Sequence, residues 1–566
     1  MRSRIMRLSG AAVLALSTAT QAPADGTAGA YLAGRLASNS ADYVAAADYF
    51  RTALSRDPGQ PVLLENTVAA YLTIGEYERA ARVSLSAQAA GYTSHVAGMA
   101  AQAEEALQGD WDALLAGLDS GRSIGPLLDG LARGWASVGQ GDRASAEAAF
   151  DNVAATEGLA GYGLFHKALA LSVLGDDAGA EAILSLSPAD GLPRTRSSIL
   201  LRAEGLGRMG RFEEAVELME VTFGGRYDAE LLALHRLLSN KTAPARSIAG
   251  TAAEGLGEAY FTVGQAIDGQ VEDSYTLLFY RLATHLSPGH EQAVLQTAAL
   301  LDDLGRHGLA GAAYAQIEPE EPLYHAAALG QAEALRKSGE REQAVELLTR
   351  LCDTHETAVI RATLGDVLRQ MDRYDEADAQ YARALELYDD AGQGKWFVHY
   401  TRGVTLNELG RWPEAEAQFR AALRLEPGEP QVMNYLGYSL VERGEKLEEA
   451  LELVRAASEA RPDDGRITDS LGWVLYRLGR HKEAVTALER AAELDPMRAV
   501  IVDHLGDAYW AVGRRMEARF QWRRALSFEP EQAFAEEIRR KLAEGLPMAQ
   551  TLTPDETVQV AHGDRQ

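Results

Sequence analysis

Two aspartates in the last third of the chain, Asp469 and Asp503, could serve as a general acid and a general base. They lie 34 residues apart, at equivalent points of a repeated pattern. On two adjacent helical repeats, such positions would be about 10 Å apart. The repetition explains both aspartates without any chemistry, so we interpret them as repeat positions and not as a catalytic pair.

Other residue types that carry chemistry do not form a catalytic motif in this sequence. It holds no GxxxxGK[ST] loop, no GxSxG elbow, no HExxH pair and no CxxC pair. His290 and Glu291 begin like a zinc-binding helix, but a valine stands four residues after the histidine. Cys352 is the only cysteine, and its place in a second helix fits a buried structural thiol. We therefore predict that the protein is not an enzyme and holds neither a cofactor nor a metal ion.

A glycine recurs every 34 or 35 residues in the C-terminal part of the chain, at Gly403, Gly437, Gly472 and Gly506. Offsets of 12, 16, 19 and 24 residues from the first of these hold Ala415, Phe419, Ala422 and Pro427, and similar residues follow the third and fourth. Two helices of about twelve residues fit this pattern, with a Gly-Arg turn between them and a proline ending the second.

The repeated unit resembles a tetratricopeptide repeat. A single helical hairpin exposes one whole apolar face, so such units are stable only when neighbours stack on them. The composition agrees, because alanine, leucine, glutamate and arginine dominate the sequence. The predicted fold is all-α, a tetratricopeptide-type α-solenoid in which helical hairpins form a right-handed superhelix with a C-terminal capping helix.

The pattern also predicts the organisation of the chain. A leader would cover residues 1–24, a partly degenerate N-terminal solenoid 25–242, a regular array 247–530, a capping helix 531–545 and a disordered tail 546–566. Between the two solenoid parts, residues 241–246 form a polar break that contains a proline.

The first 24 residues read as a cleavable signal peptide. Three arginines precede an apolar run from Leu8 to Ala15, and Ala22-Pro23-Ala24 suits cleavage before Asp25. An uncleaved anchor is the alternative. The predicted location is the periplasm, reached by export. The formal charge of −27 disfavours nucleic acid as a partner, because phosphate backbones are held mainly by lysine and arginine.

The first helix of each late repeat carries polar and aromatic residues three positions before the glycine and one and four after it. These spacings share one helical face, which lines the concave groove in tetratricopeptide repeats. Such side chains suit a polypeptide segment, because aromatic rings give contact area and carboxylates give orientation. The alternative is packing between repeats, which is as good an explanation for the two tryptophans. The predicted protein-binding groove comprises Tyr400, Asn407, Asn434, Tyr438, Asp469, Trp473, Tyr476, Asp503, Asp507 and Trp510.

Two further features bear on partners. The lysine and asparagine clamp that chaperone-binding tetratricopeptide proteins use for a terminal carboxylate is missing, which disfavours an acidic C-terminal tail as ligand. An arginine cluster could dock an acidic partner or lie near anionic lipid, or it could be a solvated outer face that balances nearby glutamates. The cluster comprises Arg514, Arg515, Arg519, Arg523 and Arg524, with Arg539, Arg540 and Lys541 beyond.

The runs DSLGWVLYRLGRHKEAV from Asp469 and DHLGDAYWAVGRRMEARFQWRRAL from Asp503 resemble exported bacterial tetratricopeptide proteins. These proteins are similar to envelope lipoproteins that bind and activate carboxyl-terminal processing proteases and deliver substrates to them. The known members carry a lipidated cysteine, which this chain lacks, so membrane association is left open. The resemblance implies a periplasmic adaptor whose groove holds a protein or peptide, with such a protease and its substrates as partners. The alternative is a structural scaffold for cell-envelope or polysaccharide-export assembly.

Overall fold

The computed structural model of the chain describes residues 26–40, 42–92, 94–388 and 394–546. Throughout these residues the regular structure is helical, with thirty α-helices, one short 3-10 turn at Pro188–Asp190 and no strand. The predicted signal peptide, and the predicted tail beyond residue 546, lie outside the described residues. No helix in the described ranges is both long and apolar enough to span a membrane.

Contacts divide the chain into two compact units between Glu340 and Arg341. The helices of the N-terminal unit are α1 (Thr27–Asn39), α2 (Tyr43–Arg56), α3 (Pro61–Thr73), α4 (Tyr77–Ala89), α5 (His95–Gln108), α6 (Trp111–Asp119), α7 (Pro126–Gly139), α8 (Arg143–Ala154), α9 (Ala160–Val173), α10 (Asp177–Leu184), α11 (Arg196–Arg208), α12 (Phe212–Phe223), α13 (Ala229–Ser239), α14 (Ala252–Ile267), α15 (Asp273–Leu286), α16 (Glu291–Asp303), α17 (His307–Tyr314) and α18 (Tyr324–Lys337).

The C-terminal unit holds the regular repeats. Its helices are α19 (Arg341–Thr354), α20 (Ala358–Arg369), α21 (Tyr374–Leu387), α22 (Lys395–Glu408), α23 (Trp412–Leu425), α24 (Pro430–Glu442), α25 (Leu447–Ala460), α26 (Gly465–Arg477), α27 (His481–Leu494), α28 (Ala499–Ala511), α29 (Arg515–Leu526) and α30 (Gln532–Glu544). Neighbouring helices pair as hairpins, such as α22 with α23 and α28 with α29. The prediction of an all-α tetratricopeptide-type solenoid with a capping helix is confirmed.

The repeated glycines allow the two helices of a hairpin to approach closely. A Cβ atom on Gly506 of α28 would lie 2.5 Å from the indole of Trp522 on α29. A side chain is excluded in the same way at Gly403, where a Cβ atom would lie 2.6 Å from the ring of Phe419. Each large side chain therefore fills the space that the glycine leaves, and both rings are fully buried.

The turn between the helices uses a second glycine with a different role. Gly479, between α26 and α27, has φ of 75°. This left-handed conformation is costly for residues with a Cβ atom. The backbone N–H of Arg480, the next residue, donates to the carbonyl of Leu475 at 2.9 Å and closes the end of α26. The recurrence of glycine at this turn thus reflects the turn geometry.

In the N-terminal unit, the hairpin of α14 and α15 packs against the first helices of earlier repeats, α3, α5, α7 and α9. The hydroxyl of Tyr260 donates to the side-chain oxygen of Gln102 at 3.2 Å, and Arg281 donates to the carbonyl of Thr73 at 2.7 Å. Both contacts are buried. The first-helix side of these repeats is therefore occupied by the chain itself.

The division between the units differs from the joint predicted at residues 241–246. The helices that follow this segment, α14 and α15, return to the helices that precede it and share their hydrophobic core. Arg246, within the segment, donates to the carbonyl of Ser172 at 2.9 Å. The polar break with a proline therefore lies within one compact unit. The boundary between the two units lies about a hundred residues later in the chain.

We expect Gly506→Ala to lower the free energy of unfolding by about 1–2 kcal/mol, because the methyl group would overlap the buried indole of Trp522. Alanine is the better helix former by up to about 1 kcal/mol, so the net loss is smaller than the overlap alone would give. Urea denaturation of the full chain, followed by circular dichroism, measures the change.

Gly428→Ala is the matched control, because a Cβ there would meet no atom within 4 Å. It should leave the denaturation midpoint unchanged or raise it slightly. Equal midpoints for the two variants would show that the glycine is not required for close packing.

Candidate functional site

The first helices of the C-terminal unit include α20, α22, α24, α26 and α28, and the last four carry all ten residues of the predicted groove. Among them, α20 packs on α22, α24 on α26, and α26 on α28. In the described part of this unit, no two successive second helices pack on each other to that extent. The first helices therefore lie on the tighter side of the stack, and we call the exposed side of these helices the first-helix face.

Aromatic side chains dominate the first-helix face at α22. The ring of Tyr400 is half-buried, with its centroid 6.2 Å from Phe419 and 6.0 Å from Tyr435. Phe397 lies one turn earlier, 6.1 Å from Tyr400, and remains 41% exposed. Such a ring offers apolar contact area that the chain itself does not use.

Phe397 was missed by the sequence analysis, although a signal for it exists. It lies six residues before the repeat glycine Gly403, and Val359 lies six residues before Gly365 on α20. Val359 is 52% exposed, so the same repeat position presents an apolar side chain on two neighbouring first helices. Later repeats place Gln431 and Arg466 there, both exposed. The sequence analysis used three other offsets and omitted this one.

The two asparagines of the predicted groove differ in their surroundings. Asn407 is buried, its amide oxygen accepts from Arg443 at 2.8 Å, and its amide nitrogen lies 3.5 Å from the hydroxyl of Tyr435. It braces α22 against α24. The buried side-chain oxygen of Asn434, on α24, has no hydrogen-bond partner among the described residues. Tyr438, one turn further along α24, is half-buried.

Trp473 and Tyr476 form a stack between repeats. The ring of Trp473 lies 5.1 Å from Tyr476 at 14° and 4.1 Å from His504 at 16°. The indole N–H donates to the carboxylate of Glu442 at 2.6 Å, and the same carboxylate pairs with Arg477 at 3.0 Å. The stack links α24, α26 and α28, so Trp473 takes part in inter-repeat packing, and both rings stay half-buried.

The aspartates of the predicted groove are buried and paired within the chain. Asp469 lies 3.0 Å from Nδ1 of His504. Asp503 and Asp507 accept from Nζ of Lys541, on α30, at 2.6 Å and 2.8 Å. Each carboxylate therefore has a partner within the chain, the imidazole of His504 or the ammonium group of Lys541.

The capping helix α30 covers the end of the first-helix face. The indole N–H of Trp510 donates to the carbonyl of Leu546 at 2.9 Å, and its ring lies 5.4 Å from Trp522. Trp522 in turn donates to Asp507 at 2.8 Å. Three predicted groove residues, Asp503, Asp507 and Trp510, thus contact the cap or the chain just after it.

Burial and neighbouring charges shift the pKa values in this cluster. Burial raises the pKa of Asp503 to about 7, and Asp507 adds to the shift while Lys541 opposes it. Burial lowers the pKa of His504, but Asp469, Asp503 and Asp507 together outweigh burial, so the net shift is upward. The two aspartates likewise outweigh burial and raise the pKa of Lys541. The contact between cap and last repeat is therefore an electrostatic one in an apolar setting.

Residues that could hold a metal or act as a nucleophile do not gather in the described ranges. No group of three or more histidine, cysteine or acidic side chains there could hold a metal ion. Cys352 is buried in α19, and burial raises the pKa of its thiol, which favours the protonated form.

Comparison with known proteins identifies the repeats. Residues 362–430, 400–464 and 436–499 match the family model of the tetratricopeptide repeat. A tetratricopeptide repeat-containing protein of Pseudomonas aeruginosa is 27% identical over 173 residues, which are 30% of this chain and 28% of the relative. The chain thus matches little more than a quarter of that relative's length.

Solved structures with similar folds are tetratricopeptide proteins and larger assemblies. A tetratricopeptide repeat protein from Parabacteroides merdae is 16% identical, with a TM-score of 0.37 over 44% of this chain and 96% of its own. YrrB, described as a tetratricopeptide protein with an unusual peptide-binding site, is 23% identical, with a TM-score of 0.28 over 35% of this chain and 99% of YrrB. The Cut9–Hcn1 hetero-tetramer is 13% identical, with a TM-score of 0.37 over 91% and 96%.

We expect Lys541→Met to destabilise the C-terminal repeats by about 3 kcal/mol at about pH 8, because two buried carboxylates lose their counter-charge. Without the lysine, which opposes the shift, burial and the neighbouring Asp507 would raise the pKa of Asp503 further above its value in the unfolded chain. Stability then falls as pH rises, so the deficit should be smaller at about pH 5 than at about pH 8. Urea denaturation at both pH values, with amide exchange of α30, measures it.

Lys446→Met is the control, because Lys446 pairs with Glu416 at the surface. Its loss should cost less than about 1 kcal/mol at either pH. The expectation fails if Lys541→Met costs no more than this control, or if its cost does not depend on pH.

Proposed function

We propose that the protein is a non-enzymatic adaptor that holds a partner protein or peptide on the first-helix face of its C-terminal unit. The observation that carries this proposal is the pair of exposed apolar side chains, Val359 and Phe397, at the same repeat position on neighbouring first helices. Tetratricopeptide repeats generally mediate protein–protein interaction, and the matched residues 362–499 include most of this face.

The chemistry of the face suits an extended polypeptide. Phe397 and the half-buried Tyr400 offer contact area to apolar side chains of a ligand. The amide oxygen of Asn434 is buried without a partner among the described residues, and rotation of this half-buried side chain would let it accept a backbone N–H of the ligand. A buried polar atom without a partner costs free energy. A hydrogen bond from the ligand to this atom would therefore contribute more to binding than a hydrogen bond that only replaces one to water. Apolar contacts would give affinity, and the amide would set the register.

Other parts of the molecule offer less to a ligand of this kind. In the N-terminal unit, α14 and α15 cover the first helices α3, α5, α7 and α9. At the last repeat, Lys541 of α30 pairs with both Asp503 and Asp507 and covers them. The uncovered part of the first-helix face therefore extends over α20, α22, α24 and α26.

We further propose that the protein works in the periplasm and that its partner is a carboxyl-terminal processing protease, a substrate of that protease, or both. The basic and apolar leader supports the location, and the resemblance of the runs from Asp469 and Asp503 supports the partner. An extended array of repeats that binds two proteins would raise their effective concentration and so the rate of processing.

We expect the double variant Val359→Ser/Phe397→Ser to lose partner binding at least tenfold, because both changes remove exposed apolar contact area without opening a cavity. The measurement is quantitative capture from a cell-envelope extract on immobilised protein. Circular dichroism should show unchanged helix content for the variant.

Leu425→Ser is the matched control. The side chain of Leu425 is 45% exposed, a fraction similar to that of Phe397. Leu425 lies on α23, the second helix of the same repeat. Proteins that depend on the first-helix face should remain bound to this control. Equal capture by wild type and double variant would contradict the proposed face. If the captured set holds assembly or export proteins and no protease, the protein is a structural scaffold instead.

Stimulation of a purified processing protease tests the partner separately. Added wild-type protein should raise the rate of substrate cleavage, and the double variant should not. If the first-helix face captures proteins but the protein does not change the rate of substrate cleavage, the proposal of an adaptor stands and this protease is excluded as its partner.

A further inference from the structure

The second helix of the last repeat, α29, presents a surface unlike the rest of the chain. At 3.6 residues per turn, five of its side chains fall within an arc of about 140°. Met516 is 86% exposed and Phe520 is 63% exposed, each beside arginines that are also exposed. We call this surface the basic outer face, and it comprises Arg515, Met516, Arg519, Phe520 and Arg523.

The arginines of the basic outer face have no acidic partner among the described residues. Elsewhere in the unit, exposed arginines commonly pair with a glutamate three residues on, as Arg411 does with Glu414 and Arg480 with Glu483. Only one acidic residue, Glu517, lies in α29, and it pairs with Arg514. The three arginines are therefore available to an external anion.

The charge of this helix opposes that of the whole protein. α29 holds four arginines and one glutamate, which gives +4 − 1 = +3, in a chain with a formal charge of −27. Two of these arginines are also positioned by contact with Trp510, whose ring centroid lies 5.1 Å from the guanidinium of Arg515 and 5.9 Å from that of Arg519. The positive charge is thus concentrated on one side of one helix.

We propose that the basic outer face docks on an anionic phospholipid surface. Helices that lie at the membrane interface combine basic residues with apolar side chains such as phenylalanine. The guanidinium groups would contact lipid phosphates, and Met516 and Phe520 would enter the boundary between head groups and acyl chains. Because this face lies on a second helix, it leaves the first-helix face available to a protein partner.

A lipid surface fits these side chains better than an acidic protein does. The long side chains of the basic outer face are exposed. A protein partner would have to order each of these flexible side chains, which costs free energy. A fluid surface of phosphate groups imposes no such requirement.

Co-sedimentation with lipid vesicles tests the proposal with the full chain. Wild type should bind vesicles of phosphatidylglycerol and phosphatidylcholine, should not bind phosphatidylcholine alone, and should dissociate as salt is raised. Each arginine near an anionic surface contributes roughly a factor of five, so Arg515→Gln/Arg519→Gln/Arg523→Gln should bind roughly 100-fold more weakly. Met516→Ser/Phe520→Ser should also weaken binding.

The control for charge is Arg350→Gln/Arg455→Gln/Arg461→Gln, which changes the net charge equally at exposed positions outside the face. It should bind like wild type. The proposal is overturned if wild type does not sediment with anionic vesicles, if it sediments equally with phosphatidylcholine alone, or if the control loses as much as the variant. Binding of an acidic protein through the same arginines, without vesicle binding, would assign the face to a protein.

A fluorescent label shows whether the face itself enters the lipid. Cys352 is buried, so Met516→Cys provides an accessible thiol for a polarity-sensitive dye. Its emission should shift to shorter wavelength with anionic vesicles. The same dye at Val221→Cys, at a position that is also highly exposed, should not shift. Equal shifts at both positions, or no shift at Met516, would overturn the assignment of this face.

Discussion

The close approach of two helices at a glycine determines much of this molecule. In α22 the absence of a side chain at Gly403 admits the ring of Phe419, and in α28 Gly506 admits the indole of Trp522. Because the glycine must face the second helix, the residues three positions before it and one and four after it fall on defined sides of the first helix. The same constraint that packs a hairpin thus sets which side chains reach the first-helix face and which pack between repeats.

Stacked hairpins leave apolar and charged groups uncovered at the end of the stack and along its first-helix side, and the chain covers some of these groups in each place. At the C-terminal end, α30 inserts Lys541 between Asp503 and Asp507, with three charged groups buried together. Burying charges is costly unless they are paired, so the cap is held in one register where its lysine meets both carboxylates. In the N-terminal unit, α14 and α15 cover the first helices with Tyr260, Phe279 and other large side chains. In the described part of the C-terminal unit, the first-helix side is left open over α20, α22, α24 and α26.

The sequence predicts the repeats well because their signals are local. The spacing of Gly403, Phe419 and Pro427 specifies two helices and their crossing, and the structure has both. Partners that come from distant residues could not be predicted, since their register depends on the stacking of whole repeats. Lys541 meets Asp503 across 38 residues, and Tyr260 meets Gln102 across 158. Polar groups that pattern alone assigns to a ligand, such as Asn407 and Asp469, therefore prove to have partners inside the chain.

The separation between first and second helices allows one array to present two chemically different surfaces. First helices lie on the tighter side of the stack, where side chains from neighbouring repeats converge, as Trp473 and His504 do. Second helices face outward with fewer neighbours, so their exposed residues need not fit a shape and can carry a net charge, as the arginines of α29 do. The aromatic first-helix face favours a polypeptide with matching side chains. The basic outer face favours a fluid lipid surface, which adapts to the arginines. Since the two lie on different helices, either can change in sequence without disturbing the packing on which the other depends.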